Sequence, residues 1–158
     1  MRDDNERYPA FFLAHAIQLE KESARRYEEL AEAMQSLGST EVAEFFRQMA
    51  HYSRLHLKEA MQRGGFSRPA EAGPPDAYEW PEGTSPEAAA WAGADGFMDV
   101  SGALDLALDG ERRSCDYYRA IAERTPDPEV KRMAEAFAEE EAEHVAQLEA
   151  WRSRSAKN

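Results

Sequence analysis

Three glutamates occupy positions where an amphipathic helix would normally carry apolar side chains. Glu20 lies seven residues from both Leu13 and Tyr27, on a stripe that is otherwise apolar. Glu111 has the same spacing from its own leucine and tyrosine, and Glu141 lies four residues after a stripe phenylalanine. Charged residues of such helices belong on the side that faces water. These carboxylates are therefore predicted to be buried, and buried charges need compensating partners.

Two histidines share the buried stripes with these glutamates. His144 lies three residues after Glu141, which puts an imidazole and a carboxylate one turn apart on the same helix face. His56 occupies a stripe position of another helix. Carboxylate oxygens together with imidazole nitrogens suit iron, manganese or zinc. The pattern therefore predicts a metal site formed by five side chains: Glu20, His56, Glu111, Glu141 and His144.

Four amphipathic helices are predicted to carry these residues, at about 8–37, 40–63, 98–124 and 128–152. Apolar residues recur at three- and four-residue steps through each range. Gly38 is expected to end the first helix, and Asp127-Pro128 is a start signal for the fourth. The tail, 153–158, is expected to fray.

A proline-rich segment, about 64–97, separates the second predicted helix from the third. Five of the 8 prolines of the chain fall between positions 69 and 86, so a long regular helix cannot form there. A connection of this length fits a crossover that runs along a bundle. The prediction is a single all-α domain, 1–158, in which two antiparallel helical hairpins are joined by a long crossover.

The five candidate ligands are expected to meet at one level of this bundle. Glu20 lies about 18 residues before the first hairpin turn and His56 about 16 after it, which corresponds to roughly 24–27 Å along the helices. Glu111 and the Glu141/His144 pair flank the second turn at roughly 21–25 Å by the same rise per residue. Antiparallel folding would therefore bring all five to the middle of the molecule.

The two predicted hairpins repeat one pattern. Each has seven residues from a buried glutamate to a tyrosine, Glu20 to Tyr27 in the first and Glu111 to Tyr118 in the second. The segment from 42 to 56 likewise matches the segment from 130 to 144, since each runs from valine to histidine. This repetition suggests a bundle with pseudo-twofold symmetry.

At these residues the sequence resembles the rubrerythrin branch of the ferritin-like di-iron proteins. In that family each hairpin supplies one glutamate and then a Glu-x-x-His pair. The resemblance implies that Glu20 and Glu111 are terminal ligands, that His56 and His144 are the histidine ligands, and that Glu141 bridges the ions.

The resemblance also implies the chemistry of the site. The metal would be iron, and it would react with oxygen, peroxide or ferrous iron. Tyr27 and Tyr118 match family tyrosines that form hydrogen bonds near the metal site. The fold implied is the ferritin-like four-helix bundle.

The first hairpin departs from the family pattern. Ser53 stands three residues before His56, where the second bridging glutamate belongs. Three carboxylates and two imidazoles remain, against four and two in the complete pattern. One outcome is that one or two ions are retained, and the Glu111, Glu141 and His144 half would then bind more strongly.

The other outcome is a metal-free bundle. Three carboxylates and two protonatable histidines nearly balance in charge, so they can form a hydrogen-bonded network without an ion. The protein would then act through protein–protein interaction. A third possibility is a protein that binds or delivers iron without turnover.

Two further features separate this chain from rubrerythrins proper. Those proteins carry another glutamate where Ser114 stands here, and they carry a cysteine-rich rubredoxin module. This chain has one cysteine, Cys115. Redox activity is therefore expected to need an external electron donor, and Cys115 itself is predicted to be a buried, inert thiol.

Charge and composition limit the expected partners. A net charge of −12 repels phosphate backbones and anionic lipid, so neither nucleic acid nor membrane is expected to bind. Residues 1–9 lack the apolar core of a signal peptide, and no run approaches the length that spans a bilayer. A cytoplasmic location is expected.

A few aromatic and histidine residues remain outside the predicted site. Phe11 and Phe12 are adjacent, so both cannot face one core, and one of them is expected to form a homodimer contact. His15 and His51 lie off the metal stripe and are expected to contact solvent or a partner.

Overall fold

The structure is a computed structural model that describes residues 2–64 and 99–156. Within these ranges it contains no strand, and its elements are four helices: α1 (Arg2–Ser36), α2 (Thr40–Gly64), α3 (Val100–Arg124) and α4 (Pro128–Ala156). The predicted all-α class is confirmed. The predicted crossover lies outside the described residues, apart from Gly64, which ends α2.

Two helix ends differ from the prediction. Helix α1 begins at Arg2 rather than near position 8 and contains Pro9, and α4 continues past position 152 to Ala156. The expectation that the tail frays is wrong for 153–156. Both extensions are polar segments without an apolar stripe, so periodicity could not detect them. Once a helix has formed, however, each added residue gains a hydrogen bond at little further cost.

Local signals in the sequence fix the two hairpin turns. Gly38 has φ of +82°, and Ser39 N donates to Met34 O at 2.9 Å, which together end α1. Asp127 Oδ1 accepts hydrogen bonds from the amides of Glu129 (2.8 Å) and Val130 (3.0 Å), which begins α4. Both turn predictions are confirmed.

A layer of buried polar residues divides the core into two apolar clusters. One cluster includes Phe12, Ile17, Tyr118, Val130 and Phe137. The other includes Leu30, Met34, Phe46, Leu104 and Leu148. Along α1, α3 and α4 the buried glutamates fall between the members of one cluster and those of the other. The polar groups therefore lie at one level, with apolar side chains on both sides.

The two hairpins meet mainly through large side chains. Helix α1 packs chiefly against α2, and α3 against α4. Between the hairpins, the Phe12 ring lies 5.8 Å from that of Phe137, and the Phe45 ring stacks on Trp151 at 5.1 Å. These ring contacts join the two hairpins in the apolar clusters on both sides of the polar layer.

Several smaller expectations are also decided by the described residues. His15 is buried, and its Nδ1 lies 3.1 Å from Phe11 O, so the expectation of a solvent or partner contact is wrong. Its face of α1 is turned towards the Tyr117 ring of α3, which periodicity along one helix does not reveal. His51 is exposed and Cys115 is buried, as predicted. Phe12 lies in the core.

None of the described helices combines the length with the apolar character that crossing a bilayer demands.

Two leucine-to-alanine substitutions test the division between core and surface. Leu148 is 0% exposed and Leu55 is 48% exposed. Leu148→Ala should lower the free energy of unfolding by about 2–5 kcal/mol, because it opens a cavity in the buried cluster that also contains Phe46 and Leu104. Leu55→Ala should change it by less than about 0.5 kcal/mol. Urea denaturation measures both, and equal effects would contradict the packing described.

Candidate metal centre

The structure brings the five predicted ligands into two overlapping groups. Ligand atoms of Glu111, Glu141 and His144 all lie within 4.8 Å of one another, and so do those of Glu20, His56 and Glu141. Glu141 belongs to both groups. A carboxylate shared between two groups of three is the arrangement that two neighbouring ions require of a bridging ligand.

Each helix contributes to this cluster at the level of the polar layer. Glu20 comes from α1, His56 from α2, Glu111 from α3, and Glu141 with His144 from α4. Glu20 and Glu111 are 1% exposed and Glu141 is 4% exposed. The glutamates are therefore removed from water, as their stripe positions predict.

The histidines turn one ring nitrogen towards the carboxylates. His144 Nδ1 lies 3.5 Å from Glu141 Oε2 and 3.6 Å from Glu111 Oε2. His56 Nδ1 lies 3.9 Å from Glu20 Oε1. The two imidazole rings are nearly parallel, with centroids 5.5 Å apart. The four helices thus present imidazole nitrogen and carboxylate oxygen to the same small volume.

Several of these buried atoms have no hydrogen-bond partner within the described residues. They are His56 Nδ1, His144 Nδ1 and Glu111 Oε2. Buried polar atoms are almost always paired, and an unpaired one costs stability. A cation in the Glu111, Glu141 and His144 group would face two of these atoms, and a cation in the Glu20, His56 and Glu141 group would face His56 Nδ1. The residues present therefore fit a metal ion of the kind that accepts both nitrogen and oxygen ligands.

Without a metal, the cluster retains protons. Burial, followed by the charge of Glu141, raises the pKa of Glu111 to about 8. Burial and the charge of Glu20 raise the pKa of Glu141 to about 7. Burial alone would lower the pKa of His144, but the close carboxylates of Glu111 and Glu141 outweigh it and raise that pKa to about 11. Burial and the charge of His144 lower the pKa of His56.

The two tyrosines expected near the site differ in their contacts. Tyr27 of α1 reaches across to α3, where its hydroxyl donates to Glu111 Oε1 at 2.5 Å. The Tyr118 hydroxyl has no hydrogen-bond partner within the described part of the chain. Burial, followed by the charge of Glu20, holds the pKa of Tyr118 well above its usual range. Only Tyr27 therefore orients a ligand directly.

Small hydroxyls stand where the family pattern has glutamates. Ser53 is buried, and its Oγ lies 3.1 Å from the Oγ of Ser23, which is also buried. Ser114 is buried too, and its hydroxyl lacks a hydrogen-bond partner in the described ranges. A serine hydroxyl is too short to bridge two ions. The first hairpin therefore brings fewer ligands than the second.

Sequence reasoning missed one acidic neighbour of the site. Glu140 Oε2 lies 3.3 Å from His56 Nε2, on the side of the ring that faces away from Glu20. Glu140 belongs to an unbroken run of glutamates, 139–141, which looks like a solvated helix face. The only available signal was its position next to Glu141.

The retained protons make the stability of the metal-free protein depend on pH. Glu111 and Glu141 keep their protons in the folded state up to about pH 8 and 7, whereas the unfolded chain releases them near 4.5. His144 likewise keeps a proton that the unfolded chain releases near 6.5. Because the folded state then binds more protons than the unfolded state, rising pH must favour unfolding.

We expect chelator-treated protein to lose about 2 kcal/mol or more of unfolding free energy between about pH 5 and 8. Glu111→Gln should flatten this slope, because the amide has no proton to release. Urea denaturation across this range measures both proteins. A wild-type slope no steeper than that of Glu111→Gln would contradict the proton-retaining cluster.

Comparison with known proteins agrees with this geometry. The rubrerythrin family model matches residues 12–63 and 103–157, which include all five candidate ligands. A similar structure is that of an uncharacterized conserved protein from Magnetospirillum magnetotacticum MS-1, solved by crystallography at 2.00 Å resolution. It is 40% identical, with a TM-score of 0.73, and the match covers 92% of this chain and 93% of that one. No curated protein matches. The chain belongs to the rubrerythrin family and has its ferritin-like four-helix fold.

Proposed function

We propose that this protein binds one or two transition-metal ions, most favourably iron, at the centre of the bundle and uses them in redox chemistry with oxygen or peroxide. The observation that supports this most directly is the pair of ligand groups that share Glu141 in the dry core. Membership of the rubrerythrin family supports the same proposal.

The two ligand groups are expected to bind with different strength. Glu111, Glu141 and His144 are all buried, and the histidine nitrogen lies within 3.6 Å of both carboxylates. Glu20, His56 and Glu141 form a looser group, with 3.9 Å between the His56 and Glu20 atoms. We therefore assign the tighter ion to the α3–α4 half.

Protons and metal would compete for the same atoms. Glu111 and Glu141 must be ionised to bind metal, and burial raises the pKa of Glu111 to about 8 and that of Glu141 to about 7. Metal binding should therefore release protons and weaken as the pH falls. Tyr27, by donating to Glu111 Oε1, holds the other oxygen of that carboxylate towards His144.

Bound iron would supply the electrons that oxygen or peroxide accepts. The two apolar clusters on either side of the polar layer would exclude bulk water from it. Because the chain has one cysteine, it contains no C-x-x-C pair to deliver electrons. We therefore propose an external electron donor as the partner that returns the site to its reduced state.

A metal-free role is the second candidate. The Ser23–Ser53 hydrogen bond satisfies two buried hydroxyls without an ion, and His144 lies between two carboxylates whose charge it can offset. In that case the polar layer would be structural and the protein would act by binding another protein. Iron storage or delivery without turnover is a third possibility, distinguished by metal binding without peroxide consumption.

We also propose that the chain forms a homodimer in the cytoplasm. Phe12 is committed to the core, whereas the adjacent Phe11 is partly exposed, which supports Phe11 as the aromatic residue of the pair that contacts a second copy. Sedimentation analysis of the wild type and of Phe11→Ser tests the assembly. A wild-type monomer at micromolar concentration would refute it.

Metal binding can be tested with a pair of histidine variants. Wild-type protein purified without chelators should contain iron, and ferrous iron added in air should be oxidised faster than in buffer alone. His144→Ala should weaken the tighter site by at least about 100-fold, since loss of groups that only support a ligand already costs 10–100-fold. His51→Ala is the matched control, because His51 is exposed and lies outside both ligand groups.

Elemental analysis and ferrous titration give the affinities in this experiment. Wild-type protein that binds no iron, manganese or zinc at any loading would refute the metal proposal and favour the metal-free role. Equal loss in both histidine variants would show that the metal lies elsewhere.

Restoring the family carboxylate is a second test. Ser53→Glu should raise metal affinity by about tenfold or more, because a fourth carboxylate then faces the polar layer. The same variant without metal should be less stable than the wild type, since it buries another acid and breaks the Ser23 contact. Ser53→Gln controls for size. No gain in affinity from glutamate over glutamine would contradict the assignment of position 53 as the missing ligand.

A further inference from the structure

We propose that Glu140 is a positioning residue for His56, which fixes the imidazole so that its Nδ1 faces the metal position. The inference rests on the proposed function, and it adds a residue that neither the family pattern nor the predicted ligand set includes. It depends on the contacts that the two nitrogens of one ring make with two different carboxylates.

The His56 ring lies between Glu20 and Glu140. Its Nε2 is 3.3 Å from Glu140 Oε2, whereas its Nδ1 is 3.9 Å from Glu20 Oε1. A neutral imidazole has one N–H, which can serve only one of these oxygens. The nearer oxygen belongs to Glu140, so the proton is expected on Nε2. Nδ1 then carries the lone pair that a metal ion needs.

Glu140 has a carboxylate oxygen available for this role. Its Oε2 is buried and has no hydrogen-bond partner among the described residues. The nearby cation, Arg63, donates instead to Glu59 at 2.7 Å. The Glu140 side chain is 36% exposed, so its other edge reaches water while Oε2 faces the ring. A small rotation of the imidazole would complete the hydrogen bond.

The other histidine has a tyrosine, not a carboxylate, at the corresponding position. In the repeat of the two hairpins, Ser53 corresponds to Glu141, so the position that corresponds to Glu140 is Tyr52. The Tyr52 ring stacks on His144, with centroids 6.3 Å apart and an angle of 16° between the planes. His144 is held by its own two carboxylates and by this stacking. His56 has a looser contact on its inner side, 3.9 Å to Glu20, and its orientation therefore depends on the nearer Glu140.

The tautomer of His56 in the metal-free protein is the direct test. Nitrogen–proton correlation NMR in mildly alkaline solution should show the proton on Nε2 in the wild type. In Glu140→Ala the carboxylates that remain beside the ring among the described residues, Glu20 and Glu141, belong to the inner ligand group, so the proton should move towards Nδ1. Glu140→Gln keeps an oxygen at the same place and should preserve the wild-type tautomer.

Glu139→Ala is the matched control, because it removes the same charge from an exposed neighbour on the same helix. In the iron-loaded protein, Glu140→Ala should lower the affinity for the ion in the looser group, which includes His56, by about 10–100-fold. The affinity for the tighter ion in the α3–α4 half should stay unchanged. Glu139→Ala should weaken neither.

The outcomes separate this inference from the metal proposal. An unchanged His56 tautomer in Glu140→Ala, or an equal change in Glu139→Ala, overturns the role of Glu140 whether or not metal binds. A tautomer shift confined to Glu140→Ala, in a protein that takes up no metal, supports the contact with His56 while refuting the metal site.

Discussion

Three carboxylates buried in an apolar interior are the constraint on which this structure depends. Glu20, Glu111 and Glu141 are nearly inaccessible to water, and an uncompensated charge there would cost more than a small domain can supply. Positive charge must therefore accompany them, either as protons or as metal. The raised pKa values of Glu111, Glu141 and His144 correspond to compensation by protons. The cluster then keeps protons that the unfolded chain would release.

The same constraint explains why the apolar core is divided. Large side chains on both sides of the polar layer keep water from the carboxylates, which strengthens every interaction among them. Tyr27 illustrates the result, since it reaches from one hairpin to the other to satisfy Glu111 Oε1. A metal ion would displace the retained protons rather than fill an unrelated cavity. Metal affinity and stability without metal are therefore linked through the same few atoms.

Much of this arrangement was predictable from sequence, because the buried face of a helix carries apolar residues at regular three- and four-residue steps. Glu20 and Glu111 were detected because each interrupts an apolar stripe, and a constant rise per residue placed them at one depth. Periodicity reports only which face of a helix is buried. It could not show that the His15 face meets Tyr117, or that Glu140 approaches a histidine of another hairpin. Those contacts depend on how the helices pack against one another, which the sequence pattern of one helix does not show.

The two hairpins have diverged in what they bring to the shared layer. Helix α2 contributes Ser53 and His56, whereas the matching turn of α4 contributes Glu141 and His144. Beside Glu20, the first hairpin contributes the uncharged Ser23–Ser53 pair, so two of the three buried glutamates, Glu111 and Glu141, lie on α3 and α4. An ion would therefore bind closer to the second hairpin. In the first hairpin, the orientation of the His56 ring would have a larger effect on metal affinity, because fewer ligands there can compensate for a misplaced imidazole. An outer carboxylate such as Glu140 is then of greatest consequence where the inner ligand set is smallest.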